Sequence, residues 1–244
     1  LLYIYSAGLR EPLVELMASE KRLLSYLDMP IQHASDTVLH RMRRPERRAR
    51  LREKIAWLRR SVPDLTLRTT VLVGFPGESD AEYRELIDFM EEVEFDRLGA
   101  FAFSPQQGTR AIALEDDFLP DGLATERLEE LLEVQRGISA DRLARKIGES
   151  LEVIVDEGGP SAVARTGGQA DDVDGVTVLE GGSDLRVGSL VEARIVDADD
   201  YDLTATPLRV LREAPSGISS PPPASSGRRA LPVLPIGLEG AWGR

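Results

Sequence analysis

One pattern constrains the fold more than any other: four times in the first 147 residues, a short run rich in β-branched and aromatic residues precedes apolar positions at helical spacing. Leu1–Tyr5 is the first such run, and Pro12–Glu20 follows with Leu13, Leu16 and Met17 on one face. Tyr26–Ile31 is the second. Ser35 then stands where a helix cap would, ahead of Val38, Leu39 and Met42, and Glu46–Arg60 continues with Leu51, Ile55 and Leu58. The third, Thr66–Val73, passes through Gly74-Phe75-Pro76-Gly77 into a helix with the capping box Ser79-x-x-Glu82 and the stripe Tyr83, Leu86, Ile87, Met90. Arg97–Phe103 is the fourth, followed by a loop with Pro105, Gly108 and Pro120 and a helix from about Thr125 to Ile147, stopped by Gly148.

A crossover through a helix returns the chain to the same end of a sheet, so these strands are expected to pair in parallel, in an α/β fold. Four units are too few to close a barrel. Ligands of such folds gather at the carboxyl ends of the strands, here the loops after Ile31, Val73 and Phe103. Beyond Gly148 the pattern changes to short strands between Gly/Asp turns: Leu151–Val155, Ala162–Arg165, Gly175–Leu179, Leu190–Val196 and Asp202–Ala205. That spacing predicts a small β-barrel of the OB type. From Leu211 the Pro and Ser clusters around Ser219–Ser226 leave too few apolar residues to pack, which predicts a disordered tail. The expected domains are 1–147, 148–210 and 211–244.

Cysteine is absent, which excludes disulfides, zinc–thiolate sites and cysteine-held clusters within these 244 residues. His33 and His40, the only histidines, stand seven apart with no third ligand in a metal-binding pattern, so no metal site is expected. A 42% hydrophobic content suffices for a core. No apolar run approaches the roughly 20 residues that cross a bilayer, so no membrane association and a cytoplasmic location are expected. The chain opens without Met, directly on an apolar run, and Leu1 reads as a cut and not a natural start.

Three segments offer chemistry. Gly74 to Glu78 joins a strand to a helix, where backbone can approach a ligand, or where a tight turn needs glycine and nothing more. Pro30-Ile31-Gln32-His33-Ala34-Ser35-Asp36 places an amide, a hydroxyl and a carboxylate past a strand end, although Ser35 and Asp36 also suit a helix cap. Arg41–Arg60 holds ten basic residues against Glu46 and Glu53, able to bind phosphate or carboxylate, or to form a solvated helix face.

Taken in order, Tyr26-Leu27-Asp28-Met29-Pro30-Ile31-Gln32-His33-Ala34-Ser35-Asp36, then Thr69-Thr70-Val71-Leu72-Val73-Gly74-Phe75-Pro76-Gly77-Glu78, then Phe95 to Pro105, closely resemble the radical S-adenosylmethionine methylthiotransferases. The resemblance runs from Leu1 to about Pro207. It implies the later part of a partial TIM-type barrel followed by the terminal TRAM domain. It also implies S-adenosylmethionine and two 4Fe–4S clusters as cofactors, with the cluster cysteines lying outside this chain, which alone would be inactive. By the same resemblance Gln32, Ser35 and Arg44 would line the methionine and ribose side of S-adenosylmethionine. Thr70, Gly74, Phe75, Gly77 and Glu78 would form the turn supporting the adenine, and Phe103 and Ser104 the end of the next strand. It carries no catalytic residue over to this chain.

Two branches of the family differ in substrate: one methylthiolates an adenosine beside the tRNA anticodon, the other the β-carbon of an aspartate in small-ribosomal-subunit protein twelve. Charge separates them. From Gly148 to Val210 there are 14 acidic residues against Arg165, Arg186, Arg194 and Arg209, a balance of -10 within a net charge of -12 for the chain. RNA-binding surfaces are basic because neutralising phosphates drives their affinity, so direct RNA binding is not expected. A basic ribosomal protein is the natural complement, unless the acidity serves solubility alone. The wording of Tyr26 to His33 resembles the protein-modifying branch as well. The alternatives are the tRNA branch and a free-standing binding module without catalysis.

Overall fold

The computed structural model describes residues 1–214. Three parallel strands, β1 (Tyr26–Asp28), β2 (Thr66–Val73) and β3 (Arg97–Ala102), form one sheet in the order β1-β2-β3. Five α-helices accompany them among the described residues: α1 (Glu11–Ser19), α2 (Asp36–Arg41), α3 (Arg48–Ser61), α4 (Asp80–Val93) and α5 (Leu123–Ala144). Strand alternation divides the sheet into two faces. Leu27, Leu67, Val71, Val73 and Leu98 enter one core with Val14, Leu39, Ile55, Leu86 and Leu131 of the helices. Between them along the strands, Asp28, Arg68, Thr70, Leu72 and Phe101 belong to the opposite face, where Phe101 is 54% exposed and Asp28 is buried.

Two expected strands differ. Leu1–Tyr5 runs beside β1, with the Ile4 N–H donating to Asp28 O (2.9 Å) and the Asp28 N–H to Leu1 O (2.9 Å), but it is not a strand. Tyr3 adopts a left-handed φ of 56°, which breaks the ladder, and Leu2, Tyr3 and Tyr5 lie exposed. β1 stops at Asp28, not Ile31: the Met29 N–H still donates to Arg68 O (2.9 Å), but the Ile31 N–H, next in line to face β2, goes to a side chain and not to a backbone carbonyl. Buried Thr69 bridges the gap: its Oγ1 donates to Met29 O (2.9 Å) and accepts the Ile31 N–H (3.3 Å). Pairing resumes at Gln32, whose N–H donates to Thr70 O (2.9 Å) and whose carbonyl accepts the Leu72 N–H (2.8 Å). The sheet therefore has three strands where four were expected.

The second domain is a closed five-stranded barrel of β4 (Ser150–Glu157), β5 (Ser161–Thr166), β6 (Thr177–Glu180), β7 (Leu190–Ala198) and β8 (Leu203–Arg212), in the order β4-β5-β6-β8-β7 with only β6 and β8 parallel. Its interior is filled by Val153, Val155, Val191, Ile195, Leu179 and Leu203, with Ala162, Ala164, Ala193 and Ala205 fitting where the space narrows. Leu143 from the end of α5 plugs into this core, so the helix and barrel are joined by packing as well as by the chain. β8 runs to Arg212, paired with Leu190, and the Ala214 N–H donates to Ser189 Oγ (3.1 Å). Residues 211–214 thus belong to the barrel, not to a tail; the remainder of the expected tail lies outside the described residues.

Candidate functional site at the carboxyl ends of the strands

The loops after β1, β2 and β3 meet at one end of the sheet, as the parallel arrangement requires. After β2, Phe75-Pro76-Gly77-Glu78 forms a turn closed by the Glu78 N–H donating to Phe75 O (2.9 Å). Proline second and glycine third suit a turn whose third residue has positive φ, and Gly77 has φ 75°. Gly74 has φ 74° and also no room: a Cβ there would stand 2.3 Å from the Ala124 Cβ. Ser79 and Glu82 form the expected reciprocal capping box at the start of α4.

The turn is braced from inside by an ionic cluster. The Glu78 side chain is fully enclosed; its Oε2 accepts the Gly74 N–H (3.0 Å) and its Oε1 accepts from Arg127 Nη1 of α5 (2.8 Å). Arg127 also donates to Glu78 O (2.9 Å) and to Asp80 Oδ1 (2.5 Å), and lies over the Tyr83 ring. His33, with no exposed side chain, accepts the Ser35 N–H at Nδ1 (2.9 Å), which puts its proton on Nε2, 3.4 Å from Glu78 Oε2. That contact is an electrostatic one, since Nε2 makes no hydrogen bond of good geometry. Burial pushes the Tyr83 phenol up, reinforced by Glu130, so it remains the donor to Arg127 O (2.8 Å). Burial also acts to raise the Glu82 carboxyl, but hydrogen bonds from Arg41 and Ser79 outweigh it and hold it below the usual range.

Glycine amides of this turn are consequently engaged: Gly74 with Glu78, and Gly77 with Asp117 O (2.7 Å). Gly74, Gly77 and Glu78 are thus the frame of the rim. Phe75 is buried and meets Phe103 edge-on (5.4 Å), and Phe103 meets Phe118 (5.8 Å). Gln32, Thr70 and Phe103 are partly exposed and Ser104 is exposed, whereas Ser35 is buried. Gln32 itself holds a left-handed φ of 66°, an uncommon conformation outside glycine.

Most of the basic run is spent on packing. Arg41 pairs with Glu82 (2.9 Å), Arg52 pairs with Glu92, Lys54 reaches Ser6 O, and Arg59 donates to Val93 O and Glu94 O. Arg44 lies over the Tyr5 ring (5.1 Å) with Nη1 3.5 Å from Glu46 Oε1. The structure therefore joins Phe75 to Phe103 by ring contact and Gln32 to Thr70 by a backbone hydrogen bond, and engages Arg44 with Tyr5 and Glu46. Sequence reasoning missed Arg127, Asp80 and Phe118. A signal existed only for Asp80, inside the capping box; Arg127 reaches Glu78 across 49 residues without any local motif.

Among the described residues, no group of three or more His, Asp or Glu is placed to hold a metal ion. No helix among them is long and apolar enough to cross a membrane.

Residues 2–90 match the radical SAM superfamily and residues 147–208 match the TRAM domain. Curated relatives include the ribosomal protein uS12 methylthiotransferase RimO of Hydrogenovibrio crunogenus, 42% identical over 84% of this chain and 45% of that protein. The RimO of Xanthobacter autotrophicus is 44% identical over 84% and 45%, and that of Sorangium cellulosum 42% identical over 96% and 49%. The chain thus spans about half the length of the curated relatives it matches. Among solved structures, coproporphyrinogen III oxidase (HemN) from Escherichia coli aligns over 79% of this chain and 45% of that one, with a TM-score of 0.49 at 11% identity, a likeness too slight to add to this.

Proposed function

The chain belongs to the radical SAM methylthiotransferase family, and from that premise we propose that its sheet is one wall of an S-adenosylmethionine site and its barrel the docking domain for a basic protein substrate. The relatives act on ribosomal protein uS12, and that is the substrate we assign. A cytoplasmic location accords with a ribosomal substrate.

The rim suits the cofactor. S-adenosylmethionine carries a flat aromatic base, a polar ribose and a charged amino acid, and the rim offers the Phe75–Phe103–Phe118 cluster beside Gln32, Thr70 and Ser104. When bound, the cofactor supplies the methyl group and the radical chemistry; the protein's part is to place it. In this reading Gln32, Thr70, Phe103 and Ser104 face the ligand. Ser35, Gly74, Phe75, Gly77 and Glu78 hold those groups in place, and Arg44 would have to leave Tyr5 and Glu46 to take part. The 4Fe–4S clusters do not fit these residues, because the chain has no thiolate to hold one. Their ligands must come from elsewhere in the enzyme, and no step through them is assigned to this chain.

The choice of protein over RNA rests on the surface of the barrel. OB-type barrels grip single strands with a basic groove and exposed aromatic rings, chiefly along the second and third strands and the loops after the first and fourth. Here the loop after β7 carries Asp199, Asp200 and Asp202, and the only aromatic residue from Gly148 to Ala214 is the half-buried Tyr201. Arg165 and Arg209 are already paired with Asp156 and Glu192. The deciding experiment is equilibrium binding of the chain to purified uS12 and to an anticodon stem-loop RNA across a salt series. Binding to uS12 that weakens with salt, with none to RNA, is expected; tighter, salt-dependent RNA binding would reverse the assignment.

A further inference from the structure

The face of the sheet opposite the helical core meets the barrel through an enclosed cluster at the amino ends of β1 and β2, away from the cofactor rim. Residues 167–176, between β5 and β6, lie against β1 and β2. Gly168 sits so close to Thr66 that a Cβ there would stand 2.6 Å from Thr66 Oγ1, and one on Gly167 would stand 3.2 Å from Leu24. From this loop Asp174, its side chain 3% exposed, accepts the Tyr26 hydroxyl at Oδ2 (2.8 Å) and places Oδ1 3.8 Å from Arg68 Nε. The same carboxylate accepts the Ala170 N–H (2.9 Å), so the loop is closed on itself at the point of contact. Arg68 is held from the other side by Asp28 Oδ2 (3.2 Å). Burial, and then the charge of Asp174, push the Tyr26 phenol far above its ordinary range, which keeps the hydroxyl a donor.

Few other polar contacts cross the boundary, and they are weaker. Arg97 donates to Tyr201 O (3.2 Å), and Arg136 approaches Asp200 at 3.5 Å with both side chains more than 40% exposed. Apolar anchorage comes from Leu143 at the end of α5, which plugs the barrel but sits beside the connection Arg145–Glu149, a place where rotation is easily absorbed. A plug beside a short linker leaves the barrel freer to turn than a buried, directional contact on the far side does.

We propose that Asp174, through Tyr26 and Arg68, is the positioning residue that locks the barrel's orientation on the sheet. This does not depend on which cofactor or substrate the rim and barrel take. An aspartate nearly removed from water is tolerable only with such partners, and a buried carboxylate that loses them no longer favours the docked arrangement over a solvated one.

The absence of cysteine makes the test direct, since two introduced thiols are the only labelling sites. Spin labels are placed at Asp88→Cys on α4 and Asp184→Cys between β6 and β7, both exposed positions, and pulsed electron resonance measures the distance between them in the full chain. The parent is expected to give one narrow distance. Asp174→Ala is expected to lose it to a broad distribution while circular dichroism of the sheet, helices and barrel is retained. Tyr26→Phe, which removes one oxygen and leaves the fold's apolar contacts intact, is expected to broaden it too, and decides the matter alone if Asp174→Ala does not fold. An unchanged narrow distance in these variants would overturn the proposal and assign orientation to the remaining contacts between sheet and barrel.

Discussion

Gly74 and Gly77 share a turn and nearly the same backbone conformation, φ 74° and 75°, yet their surroundings differ, so replacing each by alanine separates two costs. An L-residue in the left-handed region costs roughly 1–2 kcal/mol at either position. At Gly77 little else is added, because a Cβ would meet Arg41 and Asp117 atoms at 3.7–3.8 Å, ordinary contact distances. At Gly74 the Cβ would stand 2.3 Å from the Ala124 Cβ and 3.1 Å from its Cα, and the obstacle is the first turn of α5, not a flexible side chain. Moving that turn also strains Arg127, one turn further on, whose guanidinium holds Glu78. Overpacking of this kind costs typically about 1–3 kcal/mol, so Gly74→Ala is expected to lose about 2–5 kcal/mol in total. Urea denaturation followed by circular dichroism measures both variants. Equal losses would refute the claim that α5 is seated on Gly74.

Arg127→Met is expected to destabilise the chain by about 3–5 kcal/mol in the same assay, because it strands the Glu78 carboxylate with no cation in a site without water access. Thr69→Val keeps the shape but leaves the buried Met29 carbonyl and Ile31 N–H unpaired, and should cost about 1–3 kcal/mol, read as a lower urea midpoint. Glu82 has a folded pKa below its ordinary 4.5; its contribution is therefore complete above that value and is lost as pH falls through the depressed one. Glu82→Gln should accordingly flatten the acid side of the stability–pH curve; an unchanged acid limb would contradict the Arg41–Glu82–Ser79 arrangement.

Local chemistry made much of this molecule legible. The β-branched run Thr66–Val73, the Pro-Gly turn and the Ser79–Glu82 box each report a structure formed within a few residues, and each is found where the sequence puts it. Leu1–Tyr5 misled because apolar and aromatic residues also suit an edge segment that lies beside a strand without joining it, and the ladder is interrupted at Tyr3 by its left-handed backbone. The early end of β1 depends on Thr69, whose hydroxyl takes the Ile31 N–H from a residue 38 positions away. The ionic frame of the rim joins Glu78 to Arg127, and the domain contact joins Tyr26 to Asp174 across 148 residues. Neither has a period or motif to announce it. The run of arginines is divided between the two readings: Arg43, Arg50, Arg52 and Arg60 are exposed, while Arg41 and Arg59 are answered by Glu82 and by backbone carbonyls, partners that composition does not show.

The central claim is that the carboxyl ends of β1, β2 and β3 form a wall for S-adenosylmethionine, and a nuclear magnetic resonance titration of the isotope-labelled chain with that ligand tests it residue by residue. Shifts concentrated at Gln32, Thr70, Phe103 and Ser104, with the barrel strands unmoved, are expected. Shifts confined to the barrel, or none at saturating ligand, would contradict it.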